Sequence, residues 1–154
     1  MEKPFSKVFS NFGLIRIKLI IAGKPFYFLV DSGSTSNVLT AEAANELQEK
    51  LQFVNEEEMM GVGRKKLRNV VVRMYLRFNK RDYVQYFSIV ESMPAFDLLE
   101  QNNGIHFDGI LGTPFLYQTK AIIDFVDQKI RWDNDREQKK LWGWQWLWKN
   151  DPPW

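Results

Sequence analysis

The chain has 154 residues, 45% hydrophobic and 26% charged, which is enough for one domain with a core of its own and excludes a disordered or fibrous polymer. Twenty-one Lys plus Arg against nineteen Asp plus Glu leave a net charge of +2, so no electrostatic field singles out nucleic acid as a partner. Cysteine is absent and histidine occurs once, at His106, which removes thiol nucleophiles, Cys-ligated metals and disulfides and leaves almost no material for a zinc site or a Ser-His triad.

The first thirteen residues, MEKPFSKVFSNFG, lack the apolar core of a secretory signal, and the longest early apolar run spans only residues 19–22. The expectation is a cytoplasmic protein. Residues 14–22 (LIRIKLIIA) alternate in strand fashion and residues 26–30 (FYFLV) resume the pattern after Gly23-Lys24-Pro25, giving a hairpin. Asp31-Ser32-Gly33-Ser34 then closes the second strand in a tight turn. Residues 41–51 (AEAANELQEKL) predict a helix capped by Thr40, with Ala43, Ala44, Leu47 and Leu51 on one face. A glycine turn at Gly61-Val62-Gly63 precedes β-rich stretches at 70–78 and 83–90, joined by a polar turn at 79–82. The basic residues Arg64, Lys65, Lys66 and Arg68 read as a charged hairpin edge rather than a nucleic-acid patch. Ile110-Leu111 is a short apolar segment between Gly109 and Gly112; residues 114–118 predict a helical turn, and 120–125 and 129–132 predict strands. There is no internal repeat. Many short strands around one clear helix predict a mainly-β, barrel-like domain.

Residues 28–40, FLVDSGSTSNVLT, carry the chemistry. A buried strand delivers the Asp31 carboxylate rigidly, Gly33 lets the backbone N–H approach it without a side chain, and the hydroxyls of Ser32 and Ser34 are placed to hold the loop and bias the charge of the acid. Asp108 and Asp124 also sit at strand ends, where a turn hydrogen bond explains them, and His106 is expected in a loop.

This run resembles the Asp-Thr/Ser-Gly loop of aspartic proteases, and Ser-Asn-Val-Leu after it is similar to the single-domain retropepsin-like branch. Met59-Met60-Gly61-Val62-Gly63 falls where such enzymes carry a flap, Gly109-Ile110-Leu111-Gly112 resembles the element beneath the catalytic loop, residues 113–118 match its short helix, and 121–125 its closing strand. The likeness covers roughly residues 14–132. It implies a closed or partly open acid-protease barrel with one or two short helices, over residues 1–132. It implies that Asp31 is catalytic, with Ser32, Gly33 and Ser34 supporting the loop, Ser32 reaching across to the other copy, and Met60, Gly61, Val62 and Gly63 covering the substrate. Ile110, Leu111 and Gly112 would lie under the site. Two aspartates are needed and the chain has one such loop, so a homodimer with an Asp31 from each subunit is implied, cutting peptide or protein substrates with an activated water and with no cofactor or metal. Ser34, in place of the Ala of retroviral relatives, implies a hydroxyl donated to the acids and an acidic pH optimum. The rival is an inactive peptide-binding or dimerisation module on the same fold.

Residues 133–154 extend beyond the resemblance. All six tryptophans lie between Trp132 and Trp154, and Trp142, Trp144, Trp146 and Trp148 alternate as on one side of a strand. Packing on the barrel or on a partner subunit is the expectation favoured over a membrane or docking anchor.

Overall fold

The computed structural model of the chain describes residues 1–60 and 66–132, with side chains described outside 56–69. In chain order the elements are β1 (Glu2–Pro4), α1 (Lys7–Phe12), β2 (Arg16–Ile21), β3 (Lys24–Val30), β4 (Asn37–Thr40), α2 (Ala41–Glu46), β5 (Leu51–Met60), β6 (Lys66–Phe78), β7 (Arg81–Val90), α3 (Pro94–Asn103), β8 (Gly109–Leu111), α4 (Thr113–Thr119), β9 (Ala121–Asp124) and β10 (Lys129–Trp132). A seven-stranded sheet runs β2-β3-β8-β4-β7-β6-β5 and curls into a half-barrel, beside a three-stranded sheet β1-β10-β9.

Both expected hairpins form. In β2 the side chains of Ile17, Leu19 and Ile21 are buried while Lys18 and Ile20 face out, and β3 buries Phe26, Phe28 and Val30. The turn sits at Ala22-Gly23, both at positive φ (52° and 79°), one residue earlier than the Gly-Lys-Pro signal placed it. Two consecutive left-handed residues match the twist of the strands they join. The same geometry recurs at Asn79-Lys80, φ 47° and 65°, between β6 and β7.

Thr40 caps α2 as expected, its hydroxyl oxygen accepting from the Ala43 N–H at 3.2 Å. The helix is shorter than its apolar stripe. It ends at Glu46, a 3-10 turn covers Gln48–Lys50, and Leu51 opens β5. Ala43, Ala44 and Leu47 keep the buried face. Four short α-helices stand among the described residues where the resemblance implied one or two; the mainly-β class stands.

The core closes around aromatic contacts. Trp132, 1% exposed, meets Phe78 edge-on at 4.8 Å between ring centroids, and Phe78 meets Phe115 at 5.3 Å. The Trp132 indole N–H donates to the Thr119 hydroxyl at 3.1 Å, which donates to the Phe115 carbonyl at 2.8 Å, so its polar edge is satisfied in the interior. The first of the six tryptophans is therefore a core residue of the barrel; the other five lie outside the described residues. Among the described residues no helix is long and apolar enough to cross a membrane.

Candidate active site

The Asp31 loop rests on β8. Strand β3 pairs in parallel with β8 (Leu29 opposite Ile110, Val30 opposite Leu111), and β4 pairs antiparallel with its other side (Val38 opposite Ile110, Leu39 opposite Gly109). The chain thus leaves one side of β8 at Asp31 and returns on the other at Asn37. Glycine at the start of β8 and again just after its end makes this crossing possible. A Cβ on Gly109 would stand 2.0 Å from the Val38 carbonyl oxygen, and one on Gly112 2.4 Å and 2.6 Å from the carbonyl oxygens of Ser36 and Ser34. The Gly109-Ile110-Leu111-Gly112 element lies beneath the loop and pairs with the strands on both sides of it.

Backbone groups hold the loop from below. The Asp31 N–H donates to the Leu111 carbonyl at 3.1 Å, and the Ser34 carbonyl accepts from both the N–H and the hydroxyl of Thr113, at 2.9 Å and 3.1 Å. The Gly33 N–H donates to Asp31 Oδ1 at 2.8 Å, the contact for which a glycine was expected there. A Cβ on Gly33 would sit 3.2 Å from that oxygen. Asp31 is half-buried and Ser32 exposed. The Ser34 hydroxyl donates to the Ser36 carbonyl at 2.7 Å. A hydroxyl has one proton to give, so Ser34 spends it on the loop and not on the acid.

Two recesses flank the loop. One, of about 310 Å³, is bounded by Asp31 and Ser32 with Leu14, Leu29, Val30 and Phe125. Beside it Phe5, Phe9 and Phe125 cluster with centroids 4.6–6.1 Å apart, and Phe125 and Val126 are 63% and 93% exposed. The other, of about 460 Å³, lies under the β5–β6 hairpin and reaches Thr35, Ser36 and Asn37. Of the expected flap, the backbone of Met60 ends β5 opposite Lys66; Gly61, Val62 and Gly63, and the side chain of Met60, lie outside the described residues.

Three supporting residues went unassigned in the sequence. Asn37, 1% exposed, accepts the Gly112 N–H on Oδ1 at 3.0 Å. Its Nδ2 donates to Gln85 Oε1 at 2.9 Å and to the Tyr86 carbonyl at 3.1 Å, and Gln85 Nε2 donates to Gln118 Oε1 at 2.6 Å. A polar residue opening an apolar strand, as Asn37 does before Val38-Leu39, was the available signal.

Asp108 and Asp124 serve structure. Asp108 Oδ2 accepts from the Tyr27 N–H at 2.6 Å, and Asp124 Oδ1 accepts from the N–H groups of Val126 and Asp127 at 3.0 Å and 2.9 Å, closing the β9–β10 turn. His106 is in the loop before β8 and does more than fill it. Its Nε2 lies 2.8 Å from Asp108 Oδ1 and its Nδ1 3.2 Å from Glu100 on α3, while its carbonyl accepts from Arg16 Nε at 3.0 Å. Partial burial pushes the imidazole pKa down, but hydrogen bonds and charge from Asp108 and Glu100 outweigh that and hold it above its ordinary value. A folded-state pKa raised above the unfolded one adds stability that is complete below about pH 6.5 and fades as pH climbs through the folded value. The melting temperature of the wild type should therefore fall as pH rises past about 6.5, and His106→Gln should flatten that slope. Parallel slopes for the two proteins would exclude the His106 contribution.

An aspartyl protease family model matches residues 17–115, more than half of the chain. Among solved structures, the chain resembles the retroviral protease-like domain of Ddi1 from Leishmania major (TM-score 0.56, 15% identity, covering 79% of this chain and 89% of that one). It also resembles a retropepsin-like aspartic protease from Rickettsia conorii (0.54, 16%, 84% and 86%) and the EIAV protease complexed with the inhibitor HBY-793 (0.54, 17%, 71% and 91%). No curated protein matches the sequence significantly.

Proposed function

The chain belongs to the aspartyl protease family, and from that premise we propose that it is an endopeptidase whose active form is a homodimer with one Asp31 from each subunit at the catalytic centre. The observation that carries this is the single acid loop: one carboxylate at a strand end, pinned by the Gly33 N–H and locked onto β8 through Leu111 and Thr113. Rigid placement is what a proton-sharing pair needs, because two carboxylates held close cannot both ionise and their titrations split. One then takes a proton from the attacking water while the other protonates the scissile carbonyl oxygen. A chain that supplies half of the pair requires a second copy, and a two-fold axis presents the same residue from both sides.

The apolar recess beside Asp31, walled by Leu14, Leu29 and Val30, fits an apolar side chain next to the scissile bond. Ser32, exposed at the head of the loop, is the residue proposed to meet the partner loop, and Met60, Gly61, Val62 and Gly63 are the proposed cover over an extended peptide.

Sedimentation of the purified protein, combined with cleavage of a mixed peptide library across pH and with a pepstatin-type inhibitor, tests the proposal. A dimer whose cleavage the inhibitor blocks is the expected result; full activity in a species that sediments as a monomer would refute it. Because the Ser34 proton is committed to Ser36, Ser34→Ala should lower stability by about 1 kcal/mol in urea denaturation and leave the pH profile of cleavage in place. An upward move of that profile would show that Ser34 donates to the acids after all.

A further inference from the structure

The 460 Å³ recess on the far side of the loop from the first is closed along one edge by the amide chain Asn37, Gln85 and Gln118. The direction of every bond in that chain is dictated by two backbone groups. The Gly112 N–H can only donate, so it meets Asn37 Oδ1; the Tyr86 carbonyl can only accept, so it meets Asn37 Nδ2. Asn37 Nδ2 therefore also donates to Gln85 Oε1, which turns Gln85 Nε2 outward to Gln118 Oε1. Gln118 must then present its NH₂ group at the outer end. Among the described residues that group has no further acceptor, and Gln118 is exposed. Asn37 and Gln85 are each 1% exposed, so the inner links cannot exchange with water and the polarity is fixed from the interior.

The rest of the recess defines what the donor can meet. Val54, Val71 and Val84 give it apolar walls, Thr35 and Ser36 bring hydroxyl groups, and among the residues whose side chains are described no charged one lines it. A carboxylate entering would lose hydration with no cation among the described lining residues in return, whereas an aliphatic side chain would leave the Gln118 amide unpaired. A neutral amide side chain satisfies both ends: its oxygen accepts from Gln118, its NH₂ donates to the hydroxyl oxygens, and its methylenes lie on the valines.

We propose that this recess is a specificity subsite for a glutamine or asparagine side chain of the peptide substrate, with Gln118 as the residue that reads it; the proposal rests on the peptide-cleaving role given above. Binding is measured by fluorescence anisotropy on the full-length Asp31→Asn protein, so that no turnover is needed, using extended peptides that place Gln, Glu, Leu or Lys at each position in turn. At one position Gln should bind about tenfold more tightly than Leu or Glu. Gln118→Glu keeps an acceptor for Gln85 Nε2 but presents no donor and adds a negative charge, and should transfer the preference at that position to Lys. A ranking with Gln no better than Leu at every position overturns the proposal, as does an unchanged ranking in Gln118→Glu or the absence of any peptide binding. Turnover of the same peptides by the wild type separates the two claims: cleavage with a flat ranking removes only the subsite, and a Gln-selective ranking without cleavage removes only the enzyme.

Discussion

Asp31→Asn is expected to lower peptide cleavage by roughly 10²–10⁴-fold, the range that a positioned acid or base contributes, with the fold intact. The substitution is isosteric and its side-chain oxygen can still accept the Gly33 N–H that Oδ1 now takes at 2.8 Å, so the melting temperature should barely change. Mixing makes the result more discriminating. If one carboxylate from each subunit is required, subunits of wild type and Asp31→Asn that exchange freely form a mixed dimer with half of the pair, and activity follows the square of the wild-type fraction. An equal mixture retains about one quarter of the activity of wild type at the same total concentration. A monomeric enzyme, or a dimer with two independent sites, retains about one half. The curve of activity against mixing ratio, recorded after exchange has reached equilibrium, decides between them, and a straight line removes the shared site.

The residues that announced the site did so because their chemistry forces a local arrangement. A carboxylate, a glycine and hydroxyls after an alternating apolar run leave few ways to turn the chain, and the structure places the Gly33 N–H on Asp31 as that logic requires. The two hairpins were legible for the same reason, since Ile17, Leu19 and Ile21 against Phe26 and Phe28 can bury only one face. What stayed hidden depended on partners distant in sequence. Strand β5 carries Glu56-Glu57-Glu58 and a register shift between Phe53 and Asn55, so its alternation is broken and its form comes from pairing with β6. The Asn37–Gln85–Gln118 chain joins positions 48 and 33 residues apart, and no local pattern links them. Helix α3 is different. Pro94 at its first turn and Gly104 at its left-handed end, φ 67°, are start and stop signals that were there to be read. Helix α1 has Ser6 at its N-cap, with no side-chain capping bond, and Gly13 at φ 70° as its stop.

The largest stability effect should come from Gly109→Ala. Its new methyl carbon would be placed 2.0 Å from the Val38 carbonyl oxygen and 3.0 Å from the carbonyl carbon, backbone atoms of a strand that is itself paired on both sides, to β8 and to β7. No rotamer change relieves a clash with backbone, so β4 and β8 must separate, and overpacking of this kind costs about 3 kcal/mol or more. For a domain of this length that corresponds to a fall in melting temperature of roughly 6–12 °C. Gly112→Ala meets the carbonyl oxygens of Ser36 and Ser34 at 2.4 Å and 2.6 Å instead, and those atoms belong to the acid loop. Its loss should appear more in catalysis than in stability, because the loop can lift off β8 at the expense of the Thr113 bonds to Ser34 while the sheet stays closed. Gly33→Ala, at 3.2 Å from Asp31 Oδ1, should leave stability almost unchanged and still slow cleavage, since the displaced atom belongs to the carboxylate proposed to be catalytic. The three substitutions thus order stability loss as Gly109, Gly112, Gly33, and they place the catalytic loss on the last two beyond what unfolding explains. Urea denaturation and cleavage rates measured on the same preparations check both orders. A Gly109→Ala protein as stable as the wild type would mean that β8 does not pass between the two arms of the acid loop, and the rigid seat of Asp31 would lose its foundation.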